Sequence, residues 1–238
     1  MKTIILFLNL LSCSFLLGQQ KTVVVEYTVK IHDEEGLSFS NNPSARHLFE
    51  QAMANADNLS FSLIINDSGA KFYANSSLSK SENETFKGST ALFAGYRGVL
   101  YQYFNSIYRV SDVVGSEVMV KEDLKDNWQL DNETKMIDGF LCYKASNVNK
   151  IDNGVGVFSH PVTAWYCPKL PYSYGPNGYS NLPGLILELQ VRNVVYGVKK
   201  IDLNSTLDFD PTFLKKVKTI SLEELNKRLD EQAESWKQ

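Results

Sequence analysis

The sequence predicts a mostly β, β-rich α+β fold: a single antiparallel curved sheet, a half-barrel or sandwich, with a helix after the first strand and a second helix at the C-terminus. Three observations lead there. Short β-branched or aromatic runs recur between turn residues, and only two stretches place apolar residues at helical spacing. No linker, charge block or internal repeat divides the 238 residues. With 43% hydrophobic residues and a mean hydropathy of -0.22, the composition excludes a disordered or multi-span membrane protein. A net charge of -3 leaves no basic surplus for a phosphate backbone, so nucleic acid is not an expected partner.

Val23 to Ile31 is β-branched and aromatic, a first strand ended by Asp33-Glu34-Glu35-Gly36. Asn42-Pro43 reads as a cap and first helical residue, followed at helical spacing by Ala45, Leu48, Phe49, Ala52, Met53 and Ala56. Leu59, Phe61, Leu63 and Ile65 then alternate, and Asp67-Ser68-Gly69 turns the chain into Ala70 to Ala74. Polar Asn75 to Gly88 reads as a loop. Runs at Val99 to Phe104, Ile107 to Val114, Glu117 to Val120, Met136 to Ala145, Val155 to Phe158 and Val162 to Cys167 predict a meander, extended by Leu185 to Val191 and Val194 to Leu203. Ser221-Leu222-Glu223-Glu224 is a capping box, and Leu222, Leu225, Leu229, Ala233 and Trp236 continue at helical spacing.

Met1 to Gly18 holds one charge, Lys2, and a run of Ile, Leu and Phe too short for a membrane span. It reads as a secretory signal peptide, with residues 19–238 as one domain. A lipoprotein site at Cys13 fits less well, because the apolar run continues through Phe15-Leu16-Leu17. Export leaves Cys142 and Cys167, placed symmetrically about Asn153-Gly154. If their segments form a hairpin the thiols meet across it, and a disulfide there stabilises the fold by about 3 kcal/mol.

Catalytic signatures are sparse. The sequence has no GxSxG elbow, no cysteine-protease signature, neither GxxxxGK[ST] nor GxGxxG, and no zinc-ligand spacing around Cys142, His160 and Cys167, so no cofactor or metal is expected. Asp208 with Asp210 and Asp131 with Glu133 are nominal carboxylate pairs, the basis of an alternative reading as an envelope hydrolase.

Ala164-Trp165-Tyr166-Cys167-Pro168-Lys169-Leu170-Pro171, then Gly175-Pro176-Asn177-Gly178-Tyr179, then Asn181-Leu182-Pro183-Gly184-Leu185-Ile186-Leu187-Glu188 resembles the signature of the GLPGLI family of exported Bacteroidetes proteins. Trp128-Gln129-Leu130 and Ile137 to Ala145 resemble its second shared block. Asn181 stands where the family's first Gly falls, which suggests a left-handed turn. The resemblance implies kinship and export, with no activity, substrate or cofactor attached. Gly175-Pro176 and Leu182-Pro183-Gly184 read as turn chemistry launching the strand of Leu185 and Ile186. Around that corner cluster Trp165, Tyr166, Tyr172, Tyr174 and Tyr179, an aromatic platform for a ligand or partner if exposed. The expected protein is thus a non-enzymatic module of the periplasm or outer-membrane surface, binding a hydrophobic or peptidic ligand or another envelope protein; a purely structural module is the remaining alternative.

Overall fold

A computed structural model describes residues 22–33, 42–75, 90–113, 116–152, 156–215 and 217–235. The expected signal peptide, Cys13, the tip of the Asn153-Gly154 turn and nearly all of the polar Asn75 to Gly88 loop lie outside them.

The chain forms one open mixed sheet of twelve strands with few helices. In chain order these are β1 (Thr22–Ile31), β2 (Ser60–Asn66), β3 (Gly69–Ala74), β4 (Leu100–Tyr103), β5 (Ser106–Val113), β6 (Ser116–Glu122), β7 (Gln129–Ile137), β8 (Phe140–Asp152), β9 (Val157–Cys167), β10 (Leu185–Val191), β11 (Val194–Ser205) and β12 (Thr219–Ser221). Across the sheet they run β12-β6-β5-β4-β3-β2-β1-β11-β10-β9-β8-β7. Every pairing is antiparallel except β12 beside β6, where Thr219 faces Met119 and Ile220 faces Val120. The longer helices among the described residues are α1 (Pro43–Asn55) and α2 (Leu222–Ser235), and residues 90–93 are helical as well.

Two differences from the sequence reading concern the sheet margins. The run Met136 to Ala145 is a hairpin, not one strand: Asp138 (φ 47°) and Gly139 (φ 77°) turn β7 into β8. β7 is a sheet edge exposed along nearly its whole length, so no buried face stamps an apolar alternation on it. The parallel β12 was also unforeseen; three residues are too few to carry a period.

The order of strands forces curvature. β6 and β7 stand ten inter-strand steps apart, about 48 Å in a flat sheet. The connecting residues 123–128 reach at most roughly 25 Å when extended. The sheet therefore cannot be flat, and its β6 and β7 sides approach each other.

α1 starts where Asn42 Oδ1 accepts the Ala45 amide, at 3.0 Å, with Pro43 in the first turn. Its Phe49 and Ala52 are buried, and Phe49 meets Phe93 edge to face at 5.5 Å. Against them lies an aromatic core in which Phe61 stacks on Phe72 at 5.5 Å and both contact Tyr96 and Tyr196. The core phenols have polar partners: Tyr27 donates to the Ile186 carbonyl at 2.6 Å and Tyr196 to the Ala94 carbonyl at 2.8 Å. α2 keeps half of its expected capping box, since Ser221 Oγ accepts the Glu224 amide while the Glu224 carboxylate turns forward to Arg228. Leu225 packs on Val120; Leu222 and Leu229 remain largely exposed, so the sheet covers only part of the helix's leucine stripe.

The segment 168–184 between β9 and β10 is built largely of turns and bends. Asn177 (φ 53°) and Asn181 (φ 64°) are both left-handed, the latter as its place in the motif suggests. Gly184, at φ 152°, lies so close to the end of β9 that a Cβ there would sit 2.2 Å from the Cys167 carbonyl oxygen. Gly184→Ala is expected to cost about 3 kcal/mol, because both backbone conformation and space reject the methyl group. Asn181→Gly relieves a left-handed residue at the loss of one exposed hydrogen bond to Asp126, and is expected to stay within about 0.5 kcal/mol of wild type. Thermal unfolding of the two variants side by side checks both values.

Candidate functional site

The predicted aromatic platform does not form as one surface. Tyr166 and Tyr179 are core residues, 5% and 2% exposed. Trp165 is half-buried beneath Lys135, whose Nζ sits 4.4 Å from the ring centroid and 2.7 Å from Glu188. Only Tyr172 and Tyr174 reach an open site. A run of five aromatics around a corner does not reveal which face each ring takes, and here the corner folds most of them inward.

Tyr172 and Tyr174 form one wall of a cleft of about 410 Å³. Its remaining lining comes from strand ends and turns: Ile65, Asn66 and Asp67 where β2 turns into β3, Gln102 and Phe104 where β4 turns into β5, and Pro171, Ser173 and Asn181 of the 168–184 segment. In a β2-β3-β4-β5 meander the first and third turns fall at the same end of the sheet, which places Asp67 beside Phe104.

Each lining group is held by local chemistry. Asn66 Oδ1 accepts the amides of Ser68 and Gly69, shaping the turn, while its Nδ2 donates to Asp208 Oδ1 at 2.6 Å and to the Phe209 carbonyl. Gly69 lets β3 press on β4: at φ 152°, a Cβ would lie 2.1 Å from the Gln102 carbonyl oxygen. Gln102 is 8% exposed and lines the cleft. Phe104 is 79% exposed with a left-handed backbone, φ 51°, its ring 4.4 Å from that of Tyr103. Sequence reasoning named the turn at Asp67 but attached no function to it, and it passed over Gln102 and Phe104. Their signal lies in topology, not in a motif.

The interior space among Leu63, Ala70, Phe72, Leu100 and Ile107, bounded by Gly175 and Gly178, amounts to about 10 Å³, room for about one water.

On the other side of the 168–184 segment stands an ionic cluster. Arg109 is 7% exposed and holds Glu122 through Nε at 2.6 Å and Nη2 at 3.0 Å. Burial works to raise the Glu122 carboxyl, but the Arg109 hydrogen bonds and charge outweigh it and hold the group below the usual carboxylate range. Lys125 Nζ donates to the Asn177 carbonyl at 3.3 Å and lies 4.9 Å over the Tyr179 ring. Burial, with the Arg109 and Arg97 charges beside it, pulls this ammonium down to about 8 against the attraction of Glu122.

The nominal carboxylate pairs are occupied with structure. Asp208 accepts from Asn66, Asp210 caps the Thr212 amide and hydroxyl, Asp131 accepts the Glu133 amide, and Glu133 pairs with Lys144. Among the described residues no three His, Cys, Asp or Glu side chains converge as a metal site. His160 faces Asn149, roughly 23 Å along β9 from Cys167, which separates the imidazole from either thiol.

Cys142 and Cys167 do meet across the β8/β9 hairpin, because the register that pairs Tyr143 with Tyr166 sets them opposite each other. The expected bond is not formed here: both are free thiols, fully buried, and Cys142 Sγ points back toward the Phe140 carbonyl at 3.6 Å. Burial, and then the neighbouring Cys167, push the Cys142 thiol up to about 12.

Residues 155–188 match the model of a family described as protein of unknown function (Porph_ging). That match spans β9, the 168–184 segment and the first half of β10, the part of the chain that supplies the Tyr172 and Tyr174 wall. No curated protein matches. Among solved structures, PNGF-II in space group P21 superposes with a TM-score of 0.51 and 14% identity over 87% of this chain and 33% of that one. PNGF-II in space group C2 gives 0.49 and 14% over 84% and 31%. The chain thus spans about a third of the length of the structures it matches, and at this identity the likeness is one of fold. No described helix is long and apolar enough to cross a membrane.

Two expectations follow from the ionisable groups. The thiols should resist a thiol reagent such as DTNB in the native protein at pH 8 and react within seconds once it is unfolded; rapid native labelling of Cys142 would contradict their burial. Lys125 has a folded pKa below its unfolded value of 10.5, so the unfolded chain binds the extra proton between pH 8 and 10.5 and stability contributed by this site rises with pH there. The stability of wild type relative to Lys125→Met should therefore climb from pH 8 to pH 9.5 in urea titrations.

Proposed function

We propose that this protein is a non-enzymatic binding module of the bacterial envelope, exported by the Met1 to Gly18 signal peptide, with residues 19–238 as one domain of GLPGLI type and its ligand seated in the Tyr172/Tyr174 cleft. The observation that carries this reading is the lining of the cleft. Tyr172, Tyr174 and Phe104 supply rings, Asn66, Gln102, Ser173 and Asn181 supply uncharged hydrogen-bonding groups, and Asp67 supplies one charge, the composition of a small-ligand site. Of the ligand classes the sequence suggested, the hydrophobic one gains no support from the interior space beside Leu63 and Phe72, which has room for about one water. The polar cleft supports the peptidic class or another ligand bearing hydrogen-bonding groups. A curled, half-barrel-like sheet agrees with the short 123–128 crossing and makes the cleft a feature of its rim.

The hydrolase alternative gains nothing from the carboxylates, which are engaged in turns and ion pairs. Peripheral contact with the outer membrane fits the same reading, with the exposed Phe104 rim as the outward face.

Native mass spectrometry of protein purified from its own envelope tests the proposal. A co-purifying mass that leaves on denaturation, and that is reduced at least fivefold in Tyr172→Ala, is the expected result. A bare mass for wild type with no ligand recovered from any envelope fraction would overturn it.

A further inference from the structure

The main chain of the cleft narrows the ligand class, on the reading that the cleft is a binding site. An extended peptide gains its affinity by adding to a sheet edge or to free backbone groups. Neither is on offer here. β2, β3, β4 and β5 each have neighbours on both sides, so the cleft lies at strand ends and not along an edge. In the 170–174 wall, the Leu170 carbonyl accepts from the Tyr172 and Leu185 amides, that of Tyr172 from Tyr174, that of Ser173 from Asn181, and that of Tyr174 from Ile186. Pro171 has no N–H to give. Four of the five carbonyls of 170–174 are thus engaged within the chain.

Recognition must then come from side chains, and these are of one kind. Gln102 lines the cleft with an amide, a donor and an acceptor side by side. Asn181 donates to Asp126 at 3.0 Å and keeps its Oδ1 for the cleft. Ser173 and the phenols of Tyr172 and Tyr174 add hydroxyl groups, and Asp67 adds the single charge. At the rim stands Phe104, an exposed ring braced against Tyr103 on a left-handed backbone. Its negative π face attracts polarised C–H groups. Amides and hydroxyls that pair with vicinal hydroxyls, together with a flat ring for a C–H face, match a ligand that alternates those two surfaces and carries no net charge. We propose that the cleft binds a neutral saccharide, with Phe104 as its stacking platform and Gln102 as its hydrogen-bonding floor.

The test is affinity electrophoresis of the full chain in gels containing mannan, xylan, starch or β-glucan, with a random-peptide phage panel run on the same protein. Phe104→Gly is the informative variant, because glycine suits φ 51° and removes the ring; its Tm is expected to be no lower than that of wild type. Gln102→Ala is the second. The expected result is retardation of wild type by at least one neutral polysaccharide, with apparent affinity reduced tenfold or more in both variants while Tm holds for Phe104→Gly. Retardation that Phe104→Gly leaves unchanged overturns the assignment of the platform. Peptides that bind in a Phe104-dependent way, with no polysaccharide retained, overturn the saccharide and leave the cleft as a binding site. Absence of both kinds of binding overturns the two readings together.

Discussion

The crossing from β6 to β7 is the constraint on which the architecture turns. Residues 123–128 are too short to traverse a flat sheet of this width, so the curl of the sheet and the path of this segment are one fact. Three contacts fix it. Lys125 bridges to Tyr179 in a parallel β pair, Trp128 Nε1 donates to the Ser180 carbonyl at 2.7 Å, and Lys125 Nζ reaches the Asn177 carbonyl. The acceptors all belong to the 168–184 segment, which also ties Asn177 Nδ2 to the Gly95 carbonyl at 3.1 Å. One segment thus fastens the crossing strand, the 90–96 turn and the β9/β10 corner. Its glycines and left-handed asparagines follow from that task, since a chain that must touch so many neighbours needs bends that side chains with a Cβ resist.

Charge is distributed to suit this curvature. On the β7 to β1 side, Lys135 with Glu188, Lys144 with Glu133 and Lys199 with Glu26 are exposed or half-exposed pairs that water screens, so each contributes little to stability. Their larger effect is to keep a wide face wet and an edge strand charged, which discourages edge-to-edge association. Arg109 and Glu122 differ, being buried. A buried pair repays its desolvation poorly against an apolar substitute, whereas a lone buried charge is costly. With Lys125 nearby and its ammonium lowered to about 8, the cluster favours the arrangement in which Glu122 sits between cations. That arrangement holds only when the 123–128 crossing lies where it does, so the ion cluster and the curl select the same conformation.

The sequence made most of the strands legible because burial on one face writes a period of two, as along β1, where Val23, Val25, Tyr27, Val29 and Ile31 are buried and the residues between them are not. It was silent where that cause is missing: polar β7 at the edge, three-residue β12, and the Asp138-Gly139 turn hidden inside an apolar run. The cysteines were placed correctly opposite each other by symmetry about a turn, but proximity in a ladder does not decide the bond, and here they are buried thiols. The site was the least legible part. Tyr172 and Tyr174 were singled out with three other aromatics that serve the core or the wet face, and Gln102 looks like any strand glutamine until β3, through Gly69, presses against its backbone.

That contrast between core and cleft has a physical basis. Interior positions answer to packing, so a residue type there predicts its environment; the aromatic cluster of Phe61, Phe72, Tyr96 and Tyr196 could hardly be anywhere else. Cleft positions break local rules instead. Phe104 holds a bulky ring in a backbone region where glycine would sit without strain, 79% exposed and braced on the Tyr103 ring. A left-handed phenylalanine at a turn is not a choice that packing or turn chemistry dictates, so no rule of the fold could have announced it from the sequence.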